Sequence, residues 1–301
     1  MATPELRGVI PPILTLFDQR GEVEETLQRR YVDWLMAAGV HGLFICSPFG
    51  SGPMLSVEQH RKCAEICIDQ ARKRVPCIVH VASASTDLTT TLARNAEAAG
   101  ADAIWATPPS RCTYGAPAVV AHFTALVKAV RVPVYAYNDV DATGSTIAPD
   151  VALQLAKAGV GGISDTGSIE DFYLMKTRMD RAGISFDFMI GTCGHWLAAA
   201  VLGVKAVVSG AANSFPEAVV NMWETTMREG AAAAAELQLK VIRLREIQRI
   251  GGTILSAMAV LEMRGIGAGF PKAPLQPLDI SVKRRIRDAV VEEGLGSLFR
   301  A

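Results

Sequence analysis

Three aspartates lie at the ends of two apolar segments, where acid–base or metal chemistry is often found. Asp139 and Asp141 follow residues 133–138, and Asp165 falls within residues 161–166. Carboxylates near one another would suit a divalent cation and metal-assisted acid–base chemistry. Their spacing matches no compact metal-binding motif, however, and aspartate is a common turn-forming residue. Strand alternation also turns Asp165 to the opposite face from its neighbours. We therefore predict no metal site.

Ser164, His195 and Arg111 are further polar residues near the ends of apolar segments. Ser164 is a candidate nucleophile, but no histidine or other base follows it in a recognisable nucleophile elbow, which favours a role in lining a pocket floor. His195 suits a general base or a ligand contact, and equally a helix cap or a packing residue. Arg111 suits a carboxylate clamp or a solvated loop charge.

The positions of these residues depend on an alternation of apolar segments with amphipathic stretches that occurs eight times. The apolar segments lack polar–apolar alternation, which is typical of strands buried on both faces. Eight such units indicate either a (β/α)8 barrel or a doubly wound open sheet, and the absence of GxGxxG after the first segment favours the barrel. Glycines that supply left-handed helix caps follow four amphipathic stretches: Gly39, Gly100, Gly159 and Gly183. The predicted strands lie within residues 8–17, 42–47, 77–83, 103–109, 133–138, 161–166, 188–192 and 206–212.

The pattern changes after Trp223, where only helical stretches follow. Helices are predicted over residues 231–249, 253–264 and 281–292. No flexible linker precedes them, so we predict a TIM barrel over residues 1–228 and a C-terminal helical extension over residues 229–301 that packs on it. In such barrels the chemistry takes place at the carboxyl ends of the strands, where the loops form one mouth.

Composition excludes several classes of protein. The chain has 301 residues, with 30 Lys and Arg against 30 Asp and Glu, so no net charge attracts nucleic acid or an anionic membrane. Half of the residues are apolar, which is typical of a globular chain. The N-terminus lacks a basic and apolar leader, and the longest apolar stretch, residues 188–204, is interrupted by glycine and histidine. The six cysteines form no CxxC pair, and Cys63 and Cys67, one helical turn apart, are expected to be buried thiols in a reducing cytoplasm and not metal ligands.

Motifs along nearly the whole chain resemble the dihydrodipicolinate synthase/N-acetylneuraminate lyase family of class I aldolases. GVIPPILTLFDQRGEVE is similar to the first strand and following turn of that family, and AGADAIWATPP to its fourth strand. VPVYAYN is similar to the fifth strand, and LGVKAVVSGAANSFPE to the eighth. The resemblance implies the barrel fold, a homo-oligomer (dimer or tetramer), and a proton-relay tyrosine at Tyr137.

At one position this chain departs from the family, and the departure predicts that the family's mechanism is missing. Family members carry a lysine at the end of the sixth strand that forms a Schiff base with a keto acid. This chain reads Gly-Ile-Ser-Asp-Thr-Gly there, so Ser164 stands at the lysine position, and a hydroxyl cannot form an imine. Lys205 precedes the eighth strand at the opposite end of the barrel, and Lys157 and Lys176 fall on predicted outer helices. None of them is expected to replace the lysine.

Other loops depart from the family pattern as well. The second-strand loop reads Ser-Pro-Phe-Gly-Ser over residues 47–51, where the family has G-(T/S)-T-G-E. The fourth-strand loop reads Thr-Pro-Pro-Ser over residues 107–110 and lacks the family's tyrosine. Ala142 stands where an arginine often receives a carboxylate. Whether Tyr114 or Arg111 replaces these lost groups stays open.

These observations predict a divergent lyase or aldolase-like enzyme that acts on a small oxo- or hydroxy-acid without an imine. Tyr137 would move the proton, and main-chain donors at the mouth would stabilise the developing oxyanion. No cofactor and no metal are expected, and the partner is a small-molecule carboxylate, not nucleic acid or a membrane. The alternatives are a non-catalytic metabolite-binding or regulatory homologue and a structural partner of active paralogues. Substrate contacts are expected from Ser47, Ser51, Ser110, Ser164, His195 and Val208.

Overall fold

Eight parallel strands follow one another around a barrel, as the sequence predicts. The computed structural model describes residues 6–110 and 112–299, apart from the side chains of residues 141 and 142. Each of strands two to eight pairs in parallel with its neighbour in the chain, and the first strand pairs with the eighth. The strands are Gly8–Ile10 (β1), Leu43–Ile45 (β2), Cys77–His80 (β3), Ala103–Ala106 (β4), Val134–Asn138 (β5), Gly162–Asp165 (β6), Asp187–Ile190 (β7) and Ala206–Val208 (β8).

Helices cover the outside of the barrel and continue beyond its last strand. The four predicted cap glycines all have positive φ angles, from 65° at Gly183 to 96° at Gly159, which confirms this prediction. None of the helices in the described ranges is long and apolar enough to cross a membrane. The helices are Glu25–Ala37 (α1), Val57–Ala71 (α2), Thr86–Ala99 (α3), Ala116–Ala129 (α4), Val140–Thr143 (α5), Pro149–Lys157 (α6), Ile169–Ala182 (α7), Trp196–Val201 (α8), Pro216–Glu229 (α9), Ala235–Arg249 (α10), Thr253–Met263 (α11) and Ile280–Glu292 (α12).

Serine side chains begin three of the outer helices. Ser56 accepts a hydrogen bond from the N–H of Gln59, whose side chain accepts one from the N–H of Ser56 in return, so α2 opens with a capping box. Ser85 and Ser168 cap α3 and α7 through their side-chain oxygens. These local signals fix where the loops of the barrel mouth pass into helices.

Two prolines interrupt the pairing that closes the barrel between β1 and β2. Pro11 and Pro12 have no N–H, so the ladder cannot continue along this segment. The N–H of Phe44 donates to the carbonyl of Pro11 (3.0 Å), and the N–H of Ile13 donates to the carbonyl of Phe44 (2.9 Å). These bonds join the two strands just below the mouth.

A buried asparagine links this closing segment to the turn after the neighbouring strand β8. The Nδ2 of Asn213 donates to the carbonyls of Pro12 (2.9 Å) and Gly210 (3.2 Å). Its Oδ1 accepts the hydroxyl of Tyr31 on α1 at 2.5 Å, and both side chains are fully buried. One amide thus holds together the loop after β1, the turn after β8 and the first outer helix.

Aromatic side chains fill the barrel interior beneath the mouth. The rings of Phe44 and Trp105 lie 4.5 Å apart, and the ring of Tyr137 lies 5.6 Å from Phe44 and 6.3 Å from Trp105. His80 stands edge-on to Tyr137 at 6.2 Å. These rings form a solid layer, so the barrel is a packed core and not a channel.

The helices that follow the barrel pack on it through a cluster of their own. Phe215, Leu244, Ile247, Val260 and Ile286 are among the buried side chains of that cluster. Two buried glutamines of α10 bind the barrel loops directly. The Nε2 of Gln238 donates to the carbonyl of Cys193 (2.7 Å), and the Nε2 of Gln248 donates to Gly210 and Ser214. The side of α10 that faces the barrel is therefore fixed relative to the loops after β7 and β8.

We predict that Asn213→Leu destabilises the fold by about 2–4 kcal/mol, because it leaves the Tyr31 hydroxyl and the Pro12 carbonyl buried without partners. Urea unfolding measures the change. The loss in free energy of unfolding of the double variant with Tyr31→Phe should be smaller than the sum of the losses of the two single variants, since the two side chains share one hydrogen bond. Strict additivity in this cycle would contradict the proposed link.

Candidate active site

A cavity lies at the carboxyl ends of the barrel strands. Its volume is about 600 Å³. The loops after β1, β2, β5, β7 and β8 form one part of its wall, and residues of α10, α11 and the turn between them form the rest. We call this space the mouth cavity. Three of the predicted site residues line it, namely Ser47, Tyr137 and Val208.

Tyr137 and Asp139 form the polar part of its floor. Both line the mouth cavity, and the Tyr137 hydroxyl is hydrogen-bonded to the Asp139 side chain. Burial raises the pKa of Tyr137 well above its ordinary value, and the neighbouring carboxylate of Asp139 raises this pKa further. The phenol therefore keeps its proton at neutral pH and is a hydrogen-bond donor.

Ser164 lies beside Tyr137 but under the floor. The two residues are paired in register on β6 and β5, so both side chains point into the barrel. Ser164 is fully buried, it is not among the residues that line the mouth cavity, and its Oγ has no hydrogen-bond partner in the described structure.

No lysine among the described residues lines the mouth cavity. Lys157 and Lys176 lie on α6 and α7, and Lys205 directly precedes β8 at the opposite end of the barrel, as the sequence predicts. The remaining lysines lie on outer or C-terminal helices or on loops outside the cavity wall: Lys62, Lys73, Lys128, Lys240, Lys272 and Lys283. An amine that reaches a bound keto acid is thus absent from this wall.

Asp165 follows Ser164 and lies on the outer face of β6. Its Oδ1 accepts the side-chain N–H of Asn138 (3.1 Å) and the main-chain N–H of Gly167 (2.7 Å). Burial raises the pKa of Asp165 to about 6, although these two hydrogen bonds act in the opposite direction. Asp165 therefore stabilises the turn after β6 and, as predicted, does not face the barrel centre.

The second-strand loop has a tight turn that only glycine permits. A Cβ atom on Gly52 would lie 1.8 Å from the carbonyl oxygen of Cys46, so no other residue fits. The Oγ of Ser47 accepts the N–H of Gly50 (3.1 Å) and faces the mouth cavity. Ser51 is buried, has a φ angle of 63° and does not line the mouth cavity.

Ser110 lines a second cavity of about 370 Å³, on the side of the barrel mouth formed by β2, β3 and β4. Thr107, His60 and His80 line the same space. A ring nitrogen of His60 is 2.7 Å from the carbonyl oxygen of His80. Burial, together with a smaller contribution from the neighbouring His60, lowers the pKa of His80 to about 3, so the imidazole is neutral at pH 7. This cavity is separate from the one that Tyr137 lines.

The remaining predicted residues lie away from the mouth cavity or outside the described structure. His195 ends the 3-10 turn after β7, is exposed, and is not part of the cavity wall. Tyr114 packs on the hydrophobic cluster between helices and sheet. Arg111 lies outside the described residues, as do the side chains of Asp141 and Ala142.

The wall residues that α10 provides were missed by sequence reasoning. Arg245, Gln248 and Arg249 of this helix all line the mouth cavity. The sequence identifies α10 as a helix, but its periodicity does not say which barrel loop the helix covers. Asp139 was interpreted only as a turn residue or a metal ligand. No group of three or more histidines, cysteines, aspartates or glutamates in the described ranges is arranged to hold a metal ion.

Comparisons with known proteins agree with this architecture. Residues 5–293 match the model of the dihydrodipicolinate synthetase family. A 4-hydroxy-tetrahydrodipicolinate synthase of Methanopyrus kandleri is 28% identical over 295 residues, which cover 97% of each chain. A probable 2-dehydro-3-deoxy-D-pentonate aldolase of Escherichia coli is 30% identical over 243 residues, 80% of this chain and 81% of the relative.

Solved structures share the same fold. A prophage protein of the dihydrodipicolinic acid synthase family from E. coli K12, solved in complex with pyruvate, superposes with a TM-score of 0.91. The alignment covers 97% of this chain and 100% of that one at 24% identity. At this identity the similarity supports the barrel and its C-terminal helices, and nothing finer.

We predict that Asp165 makes the fold less stable as pH rises from about 4 to about 6. Its folded-state pKa of about 6 lies above the unfolded value of 3.8, so the folded protein holds the extra proton in this window. The free energy of unfolding at pH 7 minus that at pH 4 should therefore be higher in Asp165→Asn than in the parent, by up to about 3 kcal/mol. Urea unfolding at both pH values measures this difference, with Asp288→Asn on the exposed face of α12 as control. An equal effect of Asp165→Asn at both pH values would contradict the prediction.

Proposed function

This chain belongs to the dihydrodipicolinate synthetase family, and we propose that it is an aldolase-type lyase that acts on a small oxo- or hydroxy-acid without a Schiff base. The observation that carries the proposal is the composition of the mouth cavity. Its floor has a hydrogen-bonded Tyr137–Asp139 pair, and its described wall has no lysine. A lyase-type function is supported by the family and by the aldolase and synthase names of its relatives.

The Tyr137–Asp139 pair supplies both proton transfers that an aldol cleavage requires. The carboxylate of Asp139 takes the proton from a substrate hydroxyl, and the adjacent C–C bond breaks to give a carbonyl fragment and an enolate. The Tyr137 hydroxyl protonates the enolate carbon. The proton on Asp139 then returns to the Tyr137 oxygen, so the enzyme ends in its starting state. This sequence needs no amine.

The developing negative charge on the enolate oxygen needs hydrogen-bond donors. Gly210 and Ala211, at the beginning of the 3-10 turn after β8, line the mouth cavity. Main-chain N–H groups at the start of a helical turn have no partner within that turn. We propose that these groups, with Tyr137, stabilise the oxyanion before the proton is delivered.

A non-catalytic metabolite-binding protein is the second candidate. It is favoured by one observation: Ser164 is fully buried and does not line the mouth cavity, so a ligand in this cavity does not contact it. In this case the mouth cavity binds a keto or hydroxy acid, and Tyr137 only donates a hydrogen bond to it. No observation favours a purely structural partner of active paralogues.

We also propose a homo-oligomer in the cytoplasm, with residues 1–228 as barrel and 229–301 as its extension. Exposed apolar side chains on adjacent helices support an interface: Leu174 on α7 and Val201 on α8 are 43% and 75% exposed. The Tyr173 hydroxyl donates to the Ala198 carbonyl and so joins these two helices (3.2 Å). The separate hydrophobic cluster of α10–α12 supports the proposed boundary.

We predict that the parent protein forms no covalent adduct with pyruvate in the presence of borohydride. Reduction traps an imine only where an amine reaches the keto carbon. Intact mass spectrometry measures the adduct, and a Schiff-base aldolase treated identically serves as the positive control. A stable adduct that maps to any lysine would overturn the imine-free mechanism.

We predict that Tyr137→Phe lowers kcat by about 100-fold or more with little change in KM, because a general acid is lost. NMR spectra of 4-hydroxy-2-oxo acids and 2-oxo-3-deoxy sugar acids incubated with the protein measure cleavage. Tyr135→Phe is a matched control, since Tyr135 lies on the same strand, is buried, and donates its hydroxyl to Asp187 (2.9 Å) away from the cavity. If the parent binds such an acid but cleaves none, the binding-protein alternative replaces this proposal.

A further inference from the structure

Arg245 is the one arginine of α10 without an acidic partner in the described structure. Arg243 pairs with Glu293 (2.9 Å), and Arg249 pairs with Glu246 (2.5 Å). Arg245 is half-buried, it lines the mouth cavity, and the described residues offer it neither an ion pair nor a hydrogen bond. A guanidinium in this position has donors directed at a space that only a ligand or water fills.

The fold holds Arg245 in place from both sides. Gln238 and Gln248, which lie two turns before and one turn after it on the same side of α10, bind the loops after β7 and β8. The Nη1 of Arg245 would lie only 2.8 Å from a Cβ atom on Gly194. The loop after β7 therefore leaves room for the guanidinium because residue 194 is glycine.

The charges of the cavity wall are arranged asymmetrically. Asp139 lies beside Tyr137 on the loop after β5, whereas Arg245 and Arg249 lie on the wall that α10 provides, where Arg249 is paired with Glu246. A carboxylate ligand is repelled by Asp139 and attracted by Arg245, which can bind it with two parallel hydrogen bonds. The hydroxyl or carbonyl carbon of the same ligand is then directed towards the Tyr137–Asp139 pair.

We propose that Arg245 is the carboxylate-binding residue of this site, supplied by the C-terminal extension, and that it sets the direction in which the ligand binds. The inference rests on the proposed function only in taking the ligand to be an oxo- or hydroxy-acid. It adds a specificity residue to the site: neutral analogues of the same shape are rejected, because the desolvated guanidinium is then left without a partner.

Arginine labelling tests the proposal on the full-length protein. Phenylglyoxal modification of Arg245 and Arg243 is followed by peptide mass mapping, with pyruvate, 2-oxobutyrate, 2-oxoglutarate or D-gluconate present, and with pyruvamide as the neutral analogue. We expect at least one acid to slow labelling of Arg245 while pyruvamide does not, and labelling of Arg243 to stay constant. Failure of every acid to protect Arg245, or equal protection by pyruvamide, would overturn the proposal.

Variants give the second measurement. Arg245→Met should raise the Kd of the protecting acid, measured by calorimetry, by about 10- to 100-fold. The Kd of Arg245→Lys should lie between those of the parent and of Arg245→Met. Arg243→Met, on the same helix but outside the cavity wall, should leave the Kd of the acid unchanged. Protection of Arg245 without any turnover would overturn the proposed lyase function alone, whereas turnover unaffected by Arg245→Met would overturn only this inference.

Discussion

The filling of the barrel interior is the constraint on which the rest of the site depends. Eight short parallel strands leave space for few inward side chains, and in the layer beneath the mouth these are Phe44, Trp105, Tyr137 and His80. Closely packed rings have little freedom to move, so the Tyr137 hydroxyl is held at one position. Ser164 is buried and does not line the mouth cavity. Chemistry at this mouth therefore has to come from the Tyr137 hydroxyl and from the loops and helices around the cavity.

Those groups come from two sources with different physical origins. Tyr137 and Asp139 are neighbours on one strand end, and their contact follows from local geometry. Arg245 reaches the cavity only because α10 packs across the loops after β7 and β8 and is held there by buried glutamine side chains. The C-terminal helices are thus part of the cavity wall as well as a cover for the barrel surface. Removing them would open the cavity.

The polarity of the resulting cavity differs from that of a lysine-based site. A buried amine stabilises a carbanion covalently, as an imine, whereas a tyrosine–carboxylate pair can only move protons and donate hydrogen bonds. Stabilisation of the enolate then depends on fixed donors around it, and recognition of the acid depends on a cation elsewhere in the wall. In our proposal the Tyr137 hydroxyl and the main-chain N–H groups after β8 meet the first requirement, and Arg245 meets the second.

Much of the fold was predictable from the sequence. Continuous apolar segments followed by helices repeat eight times, four of the helices end at a glycine, and this local pattern favours the barrel and locates the strand ends that carry Tyr137 and Ser164. The types of residue at positions 137 and 164 likewise limit the chemistry that each can perform. The family motifs are also local features, because they describe strands and turns, and they can therefore be recognised in the sequence.

The composition of the cavity wall was decided by tertiary structure alone. Helical periodicity predicts α10, but its docking on the loops after β7 and β8 depends on contacts between residues about 40 positions apart, such as Gln238 with Cys193. No local signal in the sequence encodes such contacts, which is why Arg245 was missed and the exposed His195 was proposed instead. The sequence alone thus determines the strands and the chemical nature of their ends, and only the packing of distant helices decides which charges face the ligand.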